Sequence, residues 1–249
     1  MKLEPPPSVQ YRQIFLEWYH VTTLGQILQT IEASYLQSSL KLTYNQKTLQ
    51  VGQLGSEALY IDGDFMGDFT LIDSAPSHSV ARKVAAFPSE LPIASNSIDT
   101  VILPHVVEFD AHRHQVLREV ERVLKPEGRL FLLSLNPWSV HGSLQYLPRK
   151  SSFWQANFVS GQRVLDWLSL LNFEAEISAA FALSTSRIIT KPDSALAKLR
   201  AALSFSYAIK ATKRRYSLIP IEPNWLAVPS LAPGHMLEKT CMRKSAPHE

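Results

Sequence analysis

The sequence is poor in the features that mark several large classes of protein. It contains one cysteine, Cys241, which excludes an internal disulfide and a cysteine-based zinc site. No apolar run approaches the length needed to cross a bilayer, and residues 1–7 lack the apolar core of a signal peptide. These absences predict a cytoplasmic protein without a membrane segment.

An excess of one charge is also missing. The 25 lysines and arginines nearly balance the 22 aspartates and glutamates, for a net charge of +3, so no dense basic face predicts nucleic-acid binding. A short basic cluster within residues 210–215 is better explained as a solvated strand end than as a phosphate site. His112 and His114 have the spacing of metal ligands but flank an exposed helix start, so we expect no metal.

Regular apolar patterns are what the sequence does have. Hydrophobic residues make up 45% of its 249 residues, enough for the core of one sizeable α/β domain. Spacings of three and four residues predict helices, and short apolar runs predict strands that are buried on both faces. The predicted helices cover 8–40, 112–125 and 161–171, and the predicted strands lie near 48–51, 69–72, 84–87, 99–103, 129–134, 173–177 and 204–211.

Strands that alternate with amphipathic helices indicate a mostly parallel sheet with helices on both faces. The last two predicted strands lack a helical connection, so they could instead form an antiparallel pair at the sheet edge. In an open parallel sheet, ligands bind beyond the carboxyl ends of the strands.

Candidate ligand-binding residues follow the first two strands. Gly52 and Gly55 come directly after the first strand, where a residue without a side chain lets the backbone approach a ligand; a plain tight turn explains them equally well. Asp73 follows the second strand, 21 positions after Gly52. A carboxylate there can accept hydrogen bonds from both hydroxyls of a ribose, and a helix N-cap is the alternative.

The most specific pattern surrounds the fourth and fifth predicted strands. Residues 91–108 contain Leu-Pro, Ser-Ile-Asp-Thr-Val and His-Val-Val-Glu, and residues 123–130 are Val-Leu-Lys-Pro-Glu-Gly-Arg-Leu. In this order, and across an uninterrupted helix, these stretches resemble the type-11 class I methyltransferases. The resemblance is strong over about 85–140 and weaker outside it, and the whole chain is similar to a bacterial subgroup of that family.

The resemblance implies a Rossmann-like sheet of seven strands, mostly parallel, with the last strand inserted antiparallel. It implies S-adenosylmethionine as cofactor and an unidentified, small-molecule methyl acceptor. We accordingly expect a methyltransferase domain over 46–215, after an N-terminal helical extension over 1–45. A C-terminal extension over 216–249 is polar and dotted with prolines, and we expect it to be largely disordered.

The resemblance also implies roles for the cofactor-side residues. Gly52 and Gly55 would lie against the methionine part of the cofactor, Asp73 against its ribose, and Phe87 and Leu91 would complete the cofactor site. A carboxylate that accepts both hydroxyls of a ribose is chemically suited to that place.

Further roles concern the methyl acceptor. His105 would lie near the methionyl end, and His105 or Glu108 is the candidate base if the acceptor must lose a proton. Asn136, Trp138 and His141 would line the acceptor side. Each has a structural alternative: His105 as a turn residue, Asn136 as part of an Asn-Pro turn, and Trp138 as a cover of the core.

Two departures from the family pattern weaken the predicted cofactor site. Gln50 and Gln53 provide no charge at the first turn, where the family usually has an acidic residue. Phe87 stands where the family often has an aspartate that accepts from the adenine amino group, a hydrogen bond worth about 1 kcal/mol. Losing both contacts would weaken cofactor binding by roughly 10- to 100-fold.

These departures leave two main hypotheses open. The chain is an active methyltransferase, or it keeps the methyltransferase fold as a catalytically weakened or inactive interaction module. A nicotinamide dehydrogenase shares the same sheet, but it needs a fuller glycine fingerprint and does not explain residues 123–130.

Overall fold

The structure is a computed structural model that describes residues 7–40, 46–61, 69–74, 82–139, 153, 156, 158–183, 187–189 and 203–214. Within these residues the helices are α1 (Pro7–Val21), α2 (Thr23–Ser39), α3 (Arg113–Val123) and α4 (Gly161–Leu170). The strands are β1 (Thr48–Val51), β2 (Phe69–Asp73), β3 (Arg82–Ala85), β4 (Ile98–Pro104), β5 (Leu124–Leu135), β6 (Phe173–Ala182), β7 (Arg187–Ile189) and β8 (Ser206–Lys213). A 3-10 turn covers Glu57–Leu59.

The strands form one mixed sheet in the order β3-β2-β1-β4-β5-β8-β6-β7. Strands β1 to β5 are parallel, whereas β8 runs antiparallel between β5 and β6. The mostly parallel sheet with an inserted antiparallel last strand is therefore confirmed. The last two predicted strands, β6 and β8, form the expected antiparallel pair at this side of the sheet, and of the described strands β7 lies beyond them. An eighth strand, β7, extends the seven predicted strands at that edge.

The central strands are buried on both faces by helices. Ile102 of β4 and Phe131 of β5 belong to the apolar cluster under α1 and α2, whereas Val101, Leu103 and Leu130 belong to the cluster under α3 and α4. Successive side chains of a strand point to opposite faces, so a strand covered on both faces must be apolar throughout. This explains why these strands appear in the sequence as continuous apolar runs.

The predicted helical segment 8–40 consists of two helices with a break at Thr22. The Thr22 side chain accepts a hydrogen bond from the backbone N–H of Gly25 at 3.1 Å, which makes Thr22 the N-cap of α2. Thr23, the next residue, has the same cap chemistry, and only the backbone turn selects Thr22 over it. Phe15 and Tyr19 anchor α1 in the core.

Strand order reverses between β1 and β4, because the chain moves outward from β1 to β3 and then returns to build β4 and β5 on the other side. Parallel sheets leave a crevice at such a reversal, beyond the carboxyl ends of the two strands. Both N-terminal helices belong to the same compact unit as the sheet, Met1–Arg215. The predicted extension over 216–249 and Cys241 lie outside the described residues.

Candidate cofactor site at the strand reversal

A cavity of about 610 Å³ opens at the carboxyl ends of the central strands. One wall is helix α1, through Arg12, Leu16 and His20. The remaining walls are residues that follow strands: 53–55 after β1, Asp73 and Ser74 at the end of β2, 87–89 after β3, and Val106 with 109–112 after β4. Pockets of roughly 300–1,000 Å³ hold cofactor-sized ligands, so this cavity has the capacity for one.

The turn after β1 depends on glycine for two reasons. Gly52 and Gly55 have φ angles of 93° and 84°, in the left-handed region that residues with side chains rarely adopt. A Cβ atom on Gly52 would also lie 2.4 Å from Cγ2 of Val106. The turn therefore passes too close to the loop after β4 to admit a side chain at position 52.

A carboxylate from outside the turn holds its backbone. Glu57 accepts hydrogen bonds from the backbone N–H groups of Leu54 and Gly55, at 2.7 and 3.0 Å. The same oxygen accepts from the Gln50 side chain at 3.1 Å, and Gln50 in turn accepts from the hydroxyl of Tyr60. Glu57 thus places a carboxylate at the turn, where Gln50 and Gln53 provide none. This carboxylate binds the backbone of the turn, and Glu57 is not among the described residues that line the cavity.

Asp73 ends β2 at the cavity wall, as the sequence predicts, but its carboxylate is already engaged. The backbone N–H of Gln53 donates to Oδ2 at 2.7 Å, and Ser74 Oγ lies 3.3 Å from Oδ1. The guanidinium of Arg12 makes a two-point ion pair, with both N–O distances at 2.9 Å, and donates a third hydrogen bond to the Gln53 carbonyl. Arg12 lies on α1, 61 positions away, and no local sequence signal marks this partnership.

The two residues predicted to complete the cofactor site, Phe87 and Leu91, have different surroundings. Phe87 lines the cavity and is 65% exposed, so its ring forms an open apolar rim. Leu91 is buried in the apolar cluster under α3, its backbone N–H donates to Glu119, and it is not one of the described residues that line the cavity. The structure therefore brings Phe87 to the candidate site and holds Leu91 in the packing behind it.

His105 and Glu108 are buried and are not among the described residues that line the cavity. The His105 side chain is only 1% exposed, with Nδ1 2.8 Å from Glu108 and Nε2 3.1 Å from both oxygens of Glu32 on α2. Glu32 also accepts from the hydroxyls of Tyr19 and Ser206. We call Glu32, His105 and Glu108 the buried triad; its members tie α2 to the loop that follows β4.

The two carboxylates fix the charge of the imidazole in this triad. Burial by itself would lower the pKa of His105, but the charge of Glu32 and the hydrogen bonds to Glu108 and Glu32 raise it to about 10. His105 is therefore an imidazolium at neutral pH, and both ring nitrogens donate. A side chain with both N–H groups committed to carboxylates has no lone pair with which to accept a proton.

The predicted acceptor-side residues are only partly described. Asn136 is buried, donates to the Ser204 carbonyl at 2.9 Å and accepts from the backbone N–H of Trp138 at 3.1 Å, so it shapes the turn after β5. Trp138 is 72% exposed and is not among the described residues that line the cavity. His141 lies outside the described residues.

The structure also locates the two histidines considered as metal ligands. His112 lines the cavity, whereas the His114 ring packs on Trp167 with a centroid distance of 4.3 Å. In the part of the chain that the structure describes, no group of three His, Cys, Asp or Glu side chains is arranged to hold a metal ion. A search of the same residues finds no helix with both the length and the apolar character to span a membrane.

The comparison with protein families decides the class of this domain. Residues 51–132, from the end of β1 to the middle of β5, match the family model described as a methyltransferase domain. Residues 51–132 are therefore similar to a methyltransferase domain. This match confirms the resemblance seen in the sequence, and it favours a methyltransferase over the nicotinamide dehydrogenase that shares the same sheet.

Relatives and solved structures agree with this assignment of the domain. The chain is 39% identical over 101 residues to the uncharacterized protein YafS of Escherichia coli (strain K12), a match that spans 40% of this chain and 42% of YafS. A possible histamine N-methyltransferase of Thermotoga maritima has a TM-score of 0.59 at 17% identity, over 82% of this chain and all of that structure. A SAM-dependent methyltransferase from Archaeoglobus fulgidus reaches 0.58 at 17% identity, with the same coverage. The structural matches show that the fold of the methyltransferase domain is shared.

Proposed function

We propose that this protein is an S-adenosylmethionine-dependent methyltransferase that acts on a small-molecule acceptor. The observation that carries the proposal is the 610 Å³ cavity at the strand reversal of a chain with a methyltransferase domain. The cavity joins the glycine turn, the aspartate that ends β2 and the rim after β3, which are the three features that the family resemblance assigns to the cofactor.

The residues around the cavity fit an adenosyl cofactor. Gly55 leaves backbone exposed at the cavity, whereas Gly52 is buried and is not among the described residues that line it. Asp73 offers a carboxylate to the ribose hydroxyls, and the Phe87 ring offers an apolar face to the adenine. Val106 and Phe109 add an apolar wall. The fit is incomplete at one point, because Arg12 holds Asp73.

Methyl transfer requires little from the protein beyond alignment of the cofactor and the acceptor. When bound, the cofactor supplies a methyl group on a positively charged sulfur, which a nucleophile displaces directly. The residues of the cavity bind the cofactor, orient the acceptor and exclude water. No Ser-His-Asp set or metal is needed for this reaction, so the candidate site does not require one.

For His105 and Glu108 we replace the predicted role of a base with one of positioning. The imidazolium is sealed from the cavity and both its N–H groups are engaged. Glu108 also accepts from Ser134 and from the backbone N–H of Leu135, so it fastens the loop after β4 to β5. Because Val106 and Phe109 of that loop line the cavity, the pair holds one wall of the cofactor site.

On the acceptor side, the predicted trio of Asn136, Trp138 and His141 stays a prediction. Asn136 has the contacts of a turn residue, and the exposed Trp138 is free to meet a ligand that approaches from solvent. The acceptor class we propose is a small molecule.

Calorimetric titration with S-adenosylmethionine and S-adenosylhomocysteine tests the proposal. We expect micromolar dissociation constants for the natural chain and a loss of about 10-fold or more for Asp73→Asn, since an amide offers the ribose one acceptor oxygen instead of two. Asp166→Asn is the matched control, because Asp166 is exposed on α4. Absence of both heat and thermal shift at millimolar ligand would contradict the proposed activity.

The second candidate function is an interaction module that keeps the fold without binding the cofactor. The observation that favours it is the engagement of the site's polar groups by the protein itself: Asp73 by Arg12, and the turn amides by Glu57. A chain that gives no heat with either ligand, yet unfolds cooperatively, would support this alternative.

A further inference from the structure

The carboxylate of Asp73 has no acceptor position left for a ribose. A carboxylate accepts at about four lone-pair positions, two on each oxygen. Here Oδ1 has Arg12 and Ser74 as neighbours, and Oδ2 has Arg12 and the backbone N–H of Gln53. Ser74 and Gln53 belong to the strand ends themselves, so Arg12 is the only one of these three partners that comes from a separate element.

Arg12 can leave without moving its helix. Phe15 and Tyr19, one and two turns further along α1, are fully buried and fix the helix against the sheet. The Arg12 side chain is 18% exposed and borders the cavity, with a long unbranched stem between its guanidinium and the backbone. Rotation about that stem would release the acceptor position that Arg12 holds on each oxygen of Asp73.

We infer that Arg12 is an autoinhibitory latch on the cofactor site: its guanidinium occupies the ribose-binding carboxylate, and the ribose hydroxyls bind by displacing it. The inference rests on the proposed function, because it takes Asp73 as the ribose ligand. Arg12 thereby sets the affinity for the cofactor, and the free protein holds its site closed by an ion pair within its own chain.

Removal of Arg12 changes cofactor affinity in opposite directions if Arg12 is a latch and if it is an ordinary binding residue. If Arg12 were a ligand of the cofactor, its removal would weaken binding. As a competitor for Asp73, its removal strengthens binding, and the gain depends on the presence of Asp73. A bidentate charge-assisted pair with little exposure corresponds to a gain of about tenfold in affinity.

Titration of four proteins with S-adenosylhomocysteine separates these cases: the natural chain, Arg12→Ala, Asp73→Asn and the double variant. We expect Arg12→Ala to bind about tenfold more tightly than the natural chain, and the same substitution to bring no gain in the Asp73→Asn background. Glu17→Ala, at an exposed position of α1, is the matched control and leaves the affinity unchanged.

A pair of nucleosides provides a second readout. Adenosine carries the ribose hydroxyls and 2′,3′-dideoxyadenosine lacks them, so we expect Arg12→Ala to improve binding of the first and not of the second. An equal gain for both nucleosides would overturn the latch, because the effect would then come from charge or space in the cavity and not from the hydroxyls.

The outcomes also separate this inference from the proposed function. Binding to the natural chain that is unchanged or weakened in Arg12→Ala overturns the latch and leaves the methyltransferase proposal standing. Binding that appears only in Arg12→Ala supports the latch. Failure of every variant to bind, with each shown to be folded by its thermal transition, overturns both.

Discussion

Two charged clusters lie at the same end of the sheet, and they differ in how far they are open to a ligand. In the first, Asp73 meets Arg12 at the wall of the cavity, and the arginine side chain is 18% exposed. In the second, the buried triad of Glu32, His105 and Glu108 is sealed, with side chains no more than 1% exposed. Both clusters join an N-terminal helix to a strand end.

This difference in exposure distinguishes a cluster that can bind a ligand from a cluster that only stabilises the fold. An ion pair that borders a cavity can exchange one partner for a ligand, whereas a sealed triad can only be disrupted at the cost of leaving a buried charge without its partner. The family resemblance assigned residues of both clusters to the site. The structure separates them: Asp73 lies at the wall of the cavity, whereas His105 is buried and is not among the described residues that line it.

The largest loss of stability is expected when a member of the buried triad is replaced. Glu32→Ala removes the partner of the His105 imidazolium and leaves the hydroxyls of Tyr19 and Ser206 without their acceptor. We expect the free energy of unfolding to fall by about 3 kcal/mol in urea titrations. Gln37→Ala, at an exposed position of α2, is the control, and a loss of less than about 1 kcal/mol for Glu32→Ala would contradict the structural role of the triad.

The second effect is a pH dependence of stability that the triad imposes. The pKa of His105 is about 10 in the folded protein and near 6.5 when unfolded, so the unfolded chain binds fewer protons between these values. The stabilisation is complete below about pH 6.5 and is lost as the pH rises through 10, with a slope of up to about 1.4 kcal/mol per pH unit. His105→Asn, which tolerates the φ of 49° at this position, lacks that slope.

Nitrogen chemical shifts of the His105 ring give an independent measure of the same prediction. We expect both ring nitrogens to be protonated at pH 8.5 in the natural chain. A neutral ring at that pH would contradict the charge assigned to the triad even if the stability curves could not be measured for the variant.

A smaller loss of stability is expected at the ion pair of Arg12 and Asp73. Arg12→Ala removes an ion pair that is partly exposed, and water can enter to solvate the Asp73 carboxylate. We expect a decrease of about 1 kcal/mol in the free energy of unfolding, against about 3 kcal/mol for Glu32→Ala. Equal losses of unfolding free energy in Arg12→Ala and Glu32→Ala would contradict this comparison, because the two clusters would then stabilise the fold equally.

The smallest effect concerns the rim of the cavity. Phe87→Asp adds an acceptor for the adenine amino group, so we expect cofactor affinity to rise by about 1 kcal/mol, or roughly fivefold. Because Phe87 is 65% exposed, stability should change by no more than about 0.5 kcal/mol. Phe87→Leu removes the ring without adding an acceptor. If cofactor affinity also rises in that variant, the effect comes from added space at the rim and not from a hydrogen bond.

The sequence predicted most of the fold for an identifiable reason. Strands such as β4 and β5 are apolar throughout because helices cover both faces, and the 3.6-residue period of α3 is preserved up to Val123. The short edge strand β7 has no comparable pattern, since three residues are too few to establish a period. The predicted helical segment 8–40 is divided at Thr22, where the capping hydrogen bond to Gly25 begins α2 in a new direction of the backbone.

For the candidate site, the sequence alone determined which residues follow strands, and hence that Gly52, Asp73 and Phe87 meet at one end of a parallel sheet. Only the tertiary structure decided what those residues touch. Arg12 reaches Asp73 across 61 positions and Glu32 reaches His105 across 73, and such contacts leave no local period or motif. The chemistry of a charged side chain depends on its partner and its exposure, and both are set by how the helices pack against the sheet.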